Sequence, residues 1–375
     1  MKKPRSCRGC AVLWGALRSL ARPARAGSVP GVPPSCFQKN VPAVLLSPSA
    51  WGVYEAESPP GQPPAAPRLP LAFEPFLFLL PAHQALQAHG QPVLAFYLED
   101  PVAGRTVAQL FVVPGPDPAQ PGLARSPGQA SFGGVQLAPG LAVAALHPLL
   151  DAAEAALRQR GQQQLEVRSY AFCYDPAGAS TEAEALRQRG YEVILAEQNY
   201  HLTTARDYAA HLRPNERRAL RKCHQAGLIL EQEPPITLPW AYDFMEACRR
   251  ERQQAPLSLS PERLQALMRA FPRQHLLLSV REPGGDWAAM GVAIQVSSQV
   301  LYTFYVASAL RLRKLSPALL LYEGLHDFAR ATGADLLDLG TSTLPGTRQP
   351  NVPLLNFKRR LGGVAGLRLT WQKSL

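Results

Sequence analysis

The sequence predicts an α/β (α+β) fold in which one architecture occurs twice, each copy a mixed, mostly antiparallel sheet flanked by helices. Three observations predict it. Strand and helix candidates recur in the same order in the two halves of the 375-residue chain, with little shared sequence. The stretch from Gln299 to Gly363 alternates strand, basic turn, capped helix, strand and helix. Residues 1–70, by contrast, are basic at the start and rich in Pro, Gly, Ser and Ala from Gly27 onward, the composition of a disordered arm.

Ordered structure is expected to begin near Leu71. Val93 to Glu99 and Thr106 to Val113 read as strands joined by the Asp100-Pro101-Val102-Ala103-Gly104 turn. Pro148 suits the first turn of an Ala- and Leu-rich helix ending at Gly161. Leu165 to Tyr170 is a strand, Thr181 to Arg189 a helix and Tyr191 to Glu197 another strand. Between the halves, Arg213 to Gly227 forms a helix with a cationic face. Helices over Trp240 to Arg250 and Pro261 to Phe271 precede a meander of Leu276 to Arg281, Ala288 to Val296 and Val300 to Val306. Ser316-Pro317 then reads as an N-cap and first helical residue, with Leu321, Leu325 and Phe328 on the apolar stripe and Glu323, His326, Asp327 and Arg330 off it. Leu336 to Gly340 is a short buried strand, Leu354 to Leu361 a helix closed by Gly362-Gly363, and Leu367 to Trp371 the last strand. The expected divisions are residues 1–70, 71–200 and 201–375.

Net charge is +11, which by itself suggests a nucleic-acid partner. Its location argues otherwise: residues 1–54 hold eight Lys or Arg and no Asp or Glu, leaving 31 basic and 28 acidic residues elsewhere. No DNA partner is expected. Of six cysteines, Cys7, Cys10 and Cys36 lie in the arm, and Cys7-x-x-Cys10 has no second pair or His cluster to make a zinc site. The expectation is a reducing, cytoplasmic setting. Lys2 to Arg8 followed by Ala11 to Leu17 has the outline of a signal peptide, but the apolar core is short and arginines follow it, which opposes export. No apolar run reaches the length of a membrane span.

Several catalytic signatures fail. Gly340-Thr341-Ser342-Thr343-Leu344 lacks the last glycine of a nucleophile elbow, and no phosphate-loop, dinucleotide-binding or His-Glu-x-x-His motif occurs. His201, His211, His224 and His275 have no metal-ligand spacing, so no metal is expected. Acyl transfer to an amine asks less of a protein: hold an activated acyl donor and an amine together, accept a proton and stabilise a transient oxyanion.

Leu315-Ser316-Pro317 opening an apolar helix, then Leu337-Asp338-Leu339-Gly340, then Phe357-Lys358-Arg359-Arg360-Leu361-Gly362-Gly363 resembles the C-terminal module of the FemAB-like branch of the GNAT acyltransferase superfamily. That branch includes the peptidoglycan-bridge aminoacyltransferases and the CelD-like, BioF-associated acetyltransferases. The resemblance covers residues 201–375, and the preceding half by architecture alone. It implies tandem GNAT-like domains and acyl transfer from acetyl-CoA or another acyl-CoA as co-substrate to an amine, on a small molecule or a peptidoglycan or lipid precursor. The alternatives are an aminoacyl-tRNA donor and a non-catalytic binding module on the same fold. Only 47 residues separate Gly227 from His275, too few for the long helical arm of several peptidoglycan-bridge enzymes.

The resemblance places Arg311, Arg313, Lys314 and Ser316 at the pyrophosphate of the donor. Here the sequence departs from the superfamily, because Arg313 to Ala318 contains no glycine to bring backbone close to phosphate. Lys358 matches the lysine near the acyl centre, although basic residues also suit a helix C-terminus. Tyr305 and Tyr322 are candidate proton donors to the leaving group, or amphipathic core tyrosines. Asp338 either orients the amine or caps a turn. Arg217, Arg218 and Arg221 either contact substrate or keep a surface helix soluble.

Overall fold

The computed structural model describes residues 51–88, 90–344 and 346–375. The arm up to residue 50, its signal-like segment and Cys7, Cys10 and Cys36 lie outside them. Thirteen strands and nine α-helices are present among the described residues. The first half runs β1 (Gly52–Glu57), α1 (Pro81–Gln87), β2 (Leu94–Asp100), β3 (Arg105–Val112), β4 (Leu123–Ser126), β5 (Gln136–Leu137), α2 (His147–Gln159), β6 (Gln164–Arg168), α3 (Pro176–Gln188) and β7 (Glu192–Thr203). The second runs α4 (Tyr208–His211), α5 (Pro214–Gln225), β8 (Ile229–Gln232), α6 (Leu238–Glu251), α7 (Pro261–Ala270), β9 (His275–Arg281), β10 (Trp287–Ser297), β11 (Val300–Ser308), α8 (Ala318–Ala331), β12 (Leu336–Thr341), α9 (Val352–Arg360) and β13 (Val364–Ser374). Among the described residues no helix is long and apolar enough to cross a membrane.

The fold is mixed α/β, and its strands lie in two sheets. The smaller has the order β1-β2-β3-β5; the larger has nine strands in the order β4-β6-β13-β7-β12-β11-β10-β9-β8. Among the strands of the described residues, only β4 with β6 and β11 with β12 pair in parallel. The halves interleave: β7 sits between β12 and β13, and β13 in turn sits between β7 and β6. The expected division after Tyr200 therefore falls inside β7, a twelve-residue strand that pairs with β13 on one side and β12 on the other. A second correction concerns Gly52 to Glu57, expected in the arm, which pair residue by residue with β2.

Local sequence explains most element ends. Pro occupies the first turn of α1, α2, α3, α5, α6, α7 and α9, where its missing N–H costs nothing. Asp175, Ser260 and Asn351 cap α3, α7 and α9 by accepting a backbone N–H three residues on. Gly362 closes α9 at φ +80°, and a Cβ there would meet the His211 carbonyl at 2.0 Å, so only glycine fits. Helix α8 turns Leu321, Leu325 and Ala329 into the core against β9 to β12, with Leu220 and Cys223 of α5 beside them. Truncating one such leucine to Ala costs roughly 2–5 kcal/mol. His326, expected off this stripe, is fully buried, its Nε2 donating to the Thr203 carbonyl at 3.2 Å. A further cluster joins the halves, packing Phe76, Phe78, Phe132, Tyr170 and Tyr174 against Ile294, Val296 and Val300.

Candidate active site

Strands β11 and β12 pair over only three positions, Val300 with Leu336, Leu301 with Leu337 and Tyr302 with Asp338. Beyond them β11 continues to Ser308 against β10 while β12 continues to Thr341 against β7, so the two open into a wedge. Leu339 is an extra residue in β12, because Asp338 faces His201 and Gly340 faces Tyr200. That bulge bends the strand. Gly340 adopts φ +73°, and a Cβ on it would lie 3.1 Å from Cε2 of Tyr302.

A buried polar network fills the point where the wedge opens. Asp338 is 2% exposed; its Oδ2 accepts from the Tyr174 hydroxyl at 2.6 Å, and its Oδ1 from Asn199 Nδ2 at 2.9 Å and from the Gly340 N–H at 2.7 Å. Lys358, also 2% exposed, reaches back from α9 to donate to the carbonyls of Gly340 at 2.8 Å and Thr341 at 2.7 Å. Arg368 Nη2 pairs with Glu197 Oε2 at 2.6 Å and its Nη1 donates to the Ser131 carbonyl at 2.8 Å, while the Thr343 hydroxyl donates to Glu197 Oε1 at 2.7 Å. Charges taken this far out of water need partners: Arg368 and Glu197 pair with each other, while Asp338 and Lys358 are held by hydrogen bonds to neutral groups. Burial pushes the Lys358 ammonium down to about 7, with the Asp338 charge working against that. Burial and then the Asp338 charge hold the Tyr174 phenol well above its ordinary value. Burial disfavours the Glu197 carboxylate, yet Arg368 and Thr343 hold it below the usual range.

Residues 210–359 match the family described as an acetyltransferase (GNAT) domain. The matched stretch spans 150 of the chain's 375 residues. The crystal structure of FemX shares the fold at a TM-score of 0.62 and 12% identity, over 81% of this chain and 94% of that one. L-PGS from Bacillus licheniformis shares it at a TM-score of 0.50 and 13% identity, over 77% and 86%. No curated protein matches the chain in sequence.

The matched stretch holds all of the residues expected at the site and distributes them over several places. Asp338 and Lys358 converge on Gly340. Tyr322 lies buried on α8, its ring 5.8 Å from that of Phe357, with burial and then the Asp338 charge holding its phenol protonated. Tyr305 points elsewhere: its hydroxyl lies 2.7 Å from Ser258 Oγ and accepts from the Leu259 N–H at 3.0 Å. In the turn after β11, Arg311, Arg313 and Lys314 line an open depression of about 700 Å³ with Glu251 and Leu310, and Arg311 is ion-paired with Glu282. Ser316, expected to cap α8, does not. The helix begins at Ala318 with Pro317 in the cap position, and Ser316 takes φ +59°. Of the α5 arginines, Arg217 donates to the carbonyls of Ala209 and Leu212 at 3.0 and 3.1 Å, closing the short helix α4. Arg218 bonds Asn215, and Arg221 is exposed.

Tyr174, Glu197, Asn199 and Arg368 lie outside residues 210–359 and escaped sequence reasoning. The signal available for two of them was polarity inside strands, Glu197 and Asn199 in β7; Arg368 of β13 is the register partner of Glu197 once the strand order is known.

Proposed function

We propose that this chain is an N-acyltransferase that moves an acyl group from acyl-CoA, acetyl-CoA first among them, to an amine in the wedge between β11 and β12. The observation that carries this reading is the buried Lys358 ammonium beside Gly340 and Thr341, with one N–H left over after both carbonyls are served. The amine nitrogen attacks the acyl carbon, the C–S bond breaks, and the amine gives up a proton as the thiolate takes one. Lys358 offers its free N–H to the oxygen that becomes negative on the way. Tyr322, kept protonated by burial, is the proposed donor to the thiolate. Arg313 and Lys314, with the turn ending at Ser316, hold the phosphates of the donor at the basic depression. Arg218 and Arg221 face an acidic part of the acceptor, which is a small molecule or a cell-envelope precursor bearing an amine.

A thiol-release assay with acetyl-CoA and an amine panel, run beside calorimetry with coenzyme A, tests the reading. Release of thiol dependent on one amine supports it; no binding at millimolar coenzyme A and no release overturn it. The glycine-free turn from Arg311 to Pro317 favours a second reading, an aminoacyl-tRNA donor. That reading requires RNA affinity falling steeply with salt.

A further inference from the structure

Every side-chain donor that the structure gives the Asp338 carboxylate comes from outside residues 210–359: Tyr174 follows β6, and Asn199 lies in β7. Tyr174 is 9% exposed and Asn199 2%. The strand order makes this contact possible, because β7 is inserted between β12 and β13 and carries Asn199 opposite Thr341, two residues past the bulge.

We propose that Tyr174 and Asn199 are positioning residues of the acyl-transfer site, holding the Asp338 carboxylate in place as the counter-charge of Lys358. This rests on the acyltransferase reading above. A carboxylate held by three donors has a fixed orientation. Removing one donor weakens the anion and lets it move, and the ammonium that depends on it loses support. The other charges facing Lys358 are Arg368 and Glu197 of the adjoining strands, which pair with each other. Around Asp338 stand His201, Tyr302 and Tyr322, groups kept neutral at physiological pH by burial above all. The Asp338 charge is therefore the unpaired influence on Lys358, and its geometry decides how far the ammonium persists.

The chain has seven lysines, so carbon-13 labelling of the lysine ε position resolves Lys358, assigned by its loss in Lys358→Arg. Asn199→Ala and Tyr174→Phe are expected to lower the Lys358 titration midpoint by about one pH unit. The alkaline limb of kcat moves with it, while KM for both substrates stays within twofold. Tyr174→Phe keeps shape and volume, so it remains informative if Asn199→Ala fails to fold. An unchanged midpoint in a folded variant overturns the proposal. A shifted midpoint in a protein that transfers no acyl group upholds the positioning and removes the acyltransferase reading instead.

Discussion

Lys358 and Asp338 grip the same residue from opposite sides: the Gly340 carbonyl accepts from Lys358 Nζ at 2.8 Å, and the Gly340 N–H donates to Asp338 Oδ1 at 2.7 Å. The spacing of the two charges is thus set by one glycine in a conformation L residues disfavour. Gly340→Ala forces a Cβ to φ +73° and to within 3.1 Å of the Tyr302 ring. The left-handed backbone costs about 1–2 kcal/mol, and the ring contact adds to it. Expected are a drop in Tm and a loss of kcat larger than that drop explains. An alanine variant with wild-type kcat separates the backbone of Gly340 from catalysis.

Lys358→Met retains the aliphatic stem and removes the charge. Two carbonyls lose their donor, at about 1–3 kcal/mol, while the cost of burying an ammonium disappears, so the net change in stability is small. Activity is the sharper readout, with kcat expected to fall about 100-fold or more. In the wild type the ammonium form declines above pH 7, and kcat should decline with it. A Met variant within threefold of wild-type kcat/KM removes Lys358 from the chemistry.

Glu182 offers a pH test of stability remote from these groups. Burial pushes its carboxyl from 4.5 to about 8, against the hydrogen bond from the Val135 N–H. Because the folded state keeps this proton after the unfolded state has lost it, stability attributable to Glu182 is complete below about pH 4.5 and drains away as pH rises toward 8. Glu182→Gln keeps an acceptor for Val135 and cannot ionise. Urea midpoints measured from pH 4.5 to 8 should fall less in the variant, by the equivalent of roughly 3 kcal/mol over the range. Parallel slopes for the two proteins contradict the assignment.

The order of strands and helices was legible wherever local chemistry decides it. Val300 to Val306 is dense in β-branched and aromatic residues, and Asp338 and Lys358 stand in motifs that could be quoted from the sequence. What was not legible depends on the path of β7. Tyr174 and Asn199 lie 164 and 139 positions from Asp338 along the chain, and no periodicity encodes the insertion of one strand between two others. Strands β1 and β8 escaped for a different reason. Gly52 to Glu57 follow a Pro-rich stretch and are edge-paired, and all four residues of β8 are exposed at the sheet's rim, so neither shows the alternation that burial imposes.

The basic turn and the basic helix separate in a binding experiment. Arg313→Ala combined with Lys314→Ala removes two charges from the depression and should raise KM for acyl-CoA about tenfold with little change in kcat. Arg217→Ala loses the hydrogen bonds to the Ala209 and Leu212 carbonyls instead. It should cost about 1 kcal/mol in stability and leave KM alone. A KM effect at Arg217 and none at the turn would reverse the two roles.

Ser316 supplies the conformation that a glycine would be expected to supply. Its φ of +59° lies in the left-handed region, and Cys223 of α5 steadies the turn by donating its thiol hydrogen to the Leu315 carbonyl at 3.0 Å. The missing glycine therefore leaves the backbone path intact and charges it with strain, of the order of 1 kcal/mol. Ser316→Gly relieves that strain, less the entropy glycine adds to the unfolded chain, so a gain of about 0.5–1 kcal/mol is expected. Ser316→Val, β-branched and ill suited to positive φ, should lose stability and raise donor KM together, since both depend on the same turn. The glycine variant also decides which part of Ser316 meets the donor. KM unchanged to within twofold means the backbone is the contact; a tenfold rise means the hydroxyl is, and the turn then works without close backbone approach to phosphate.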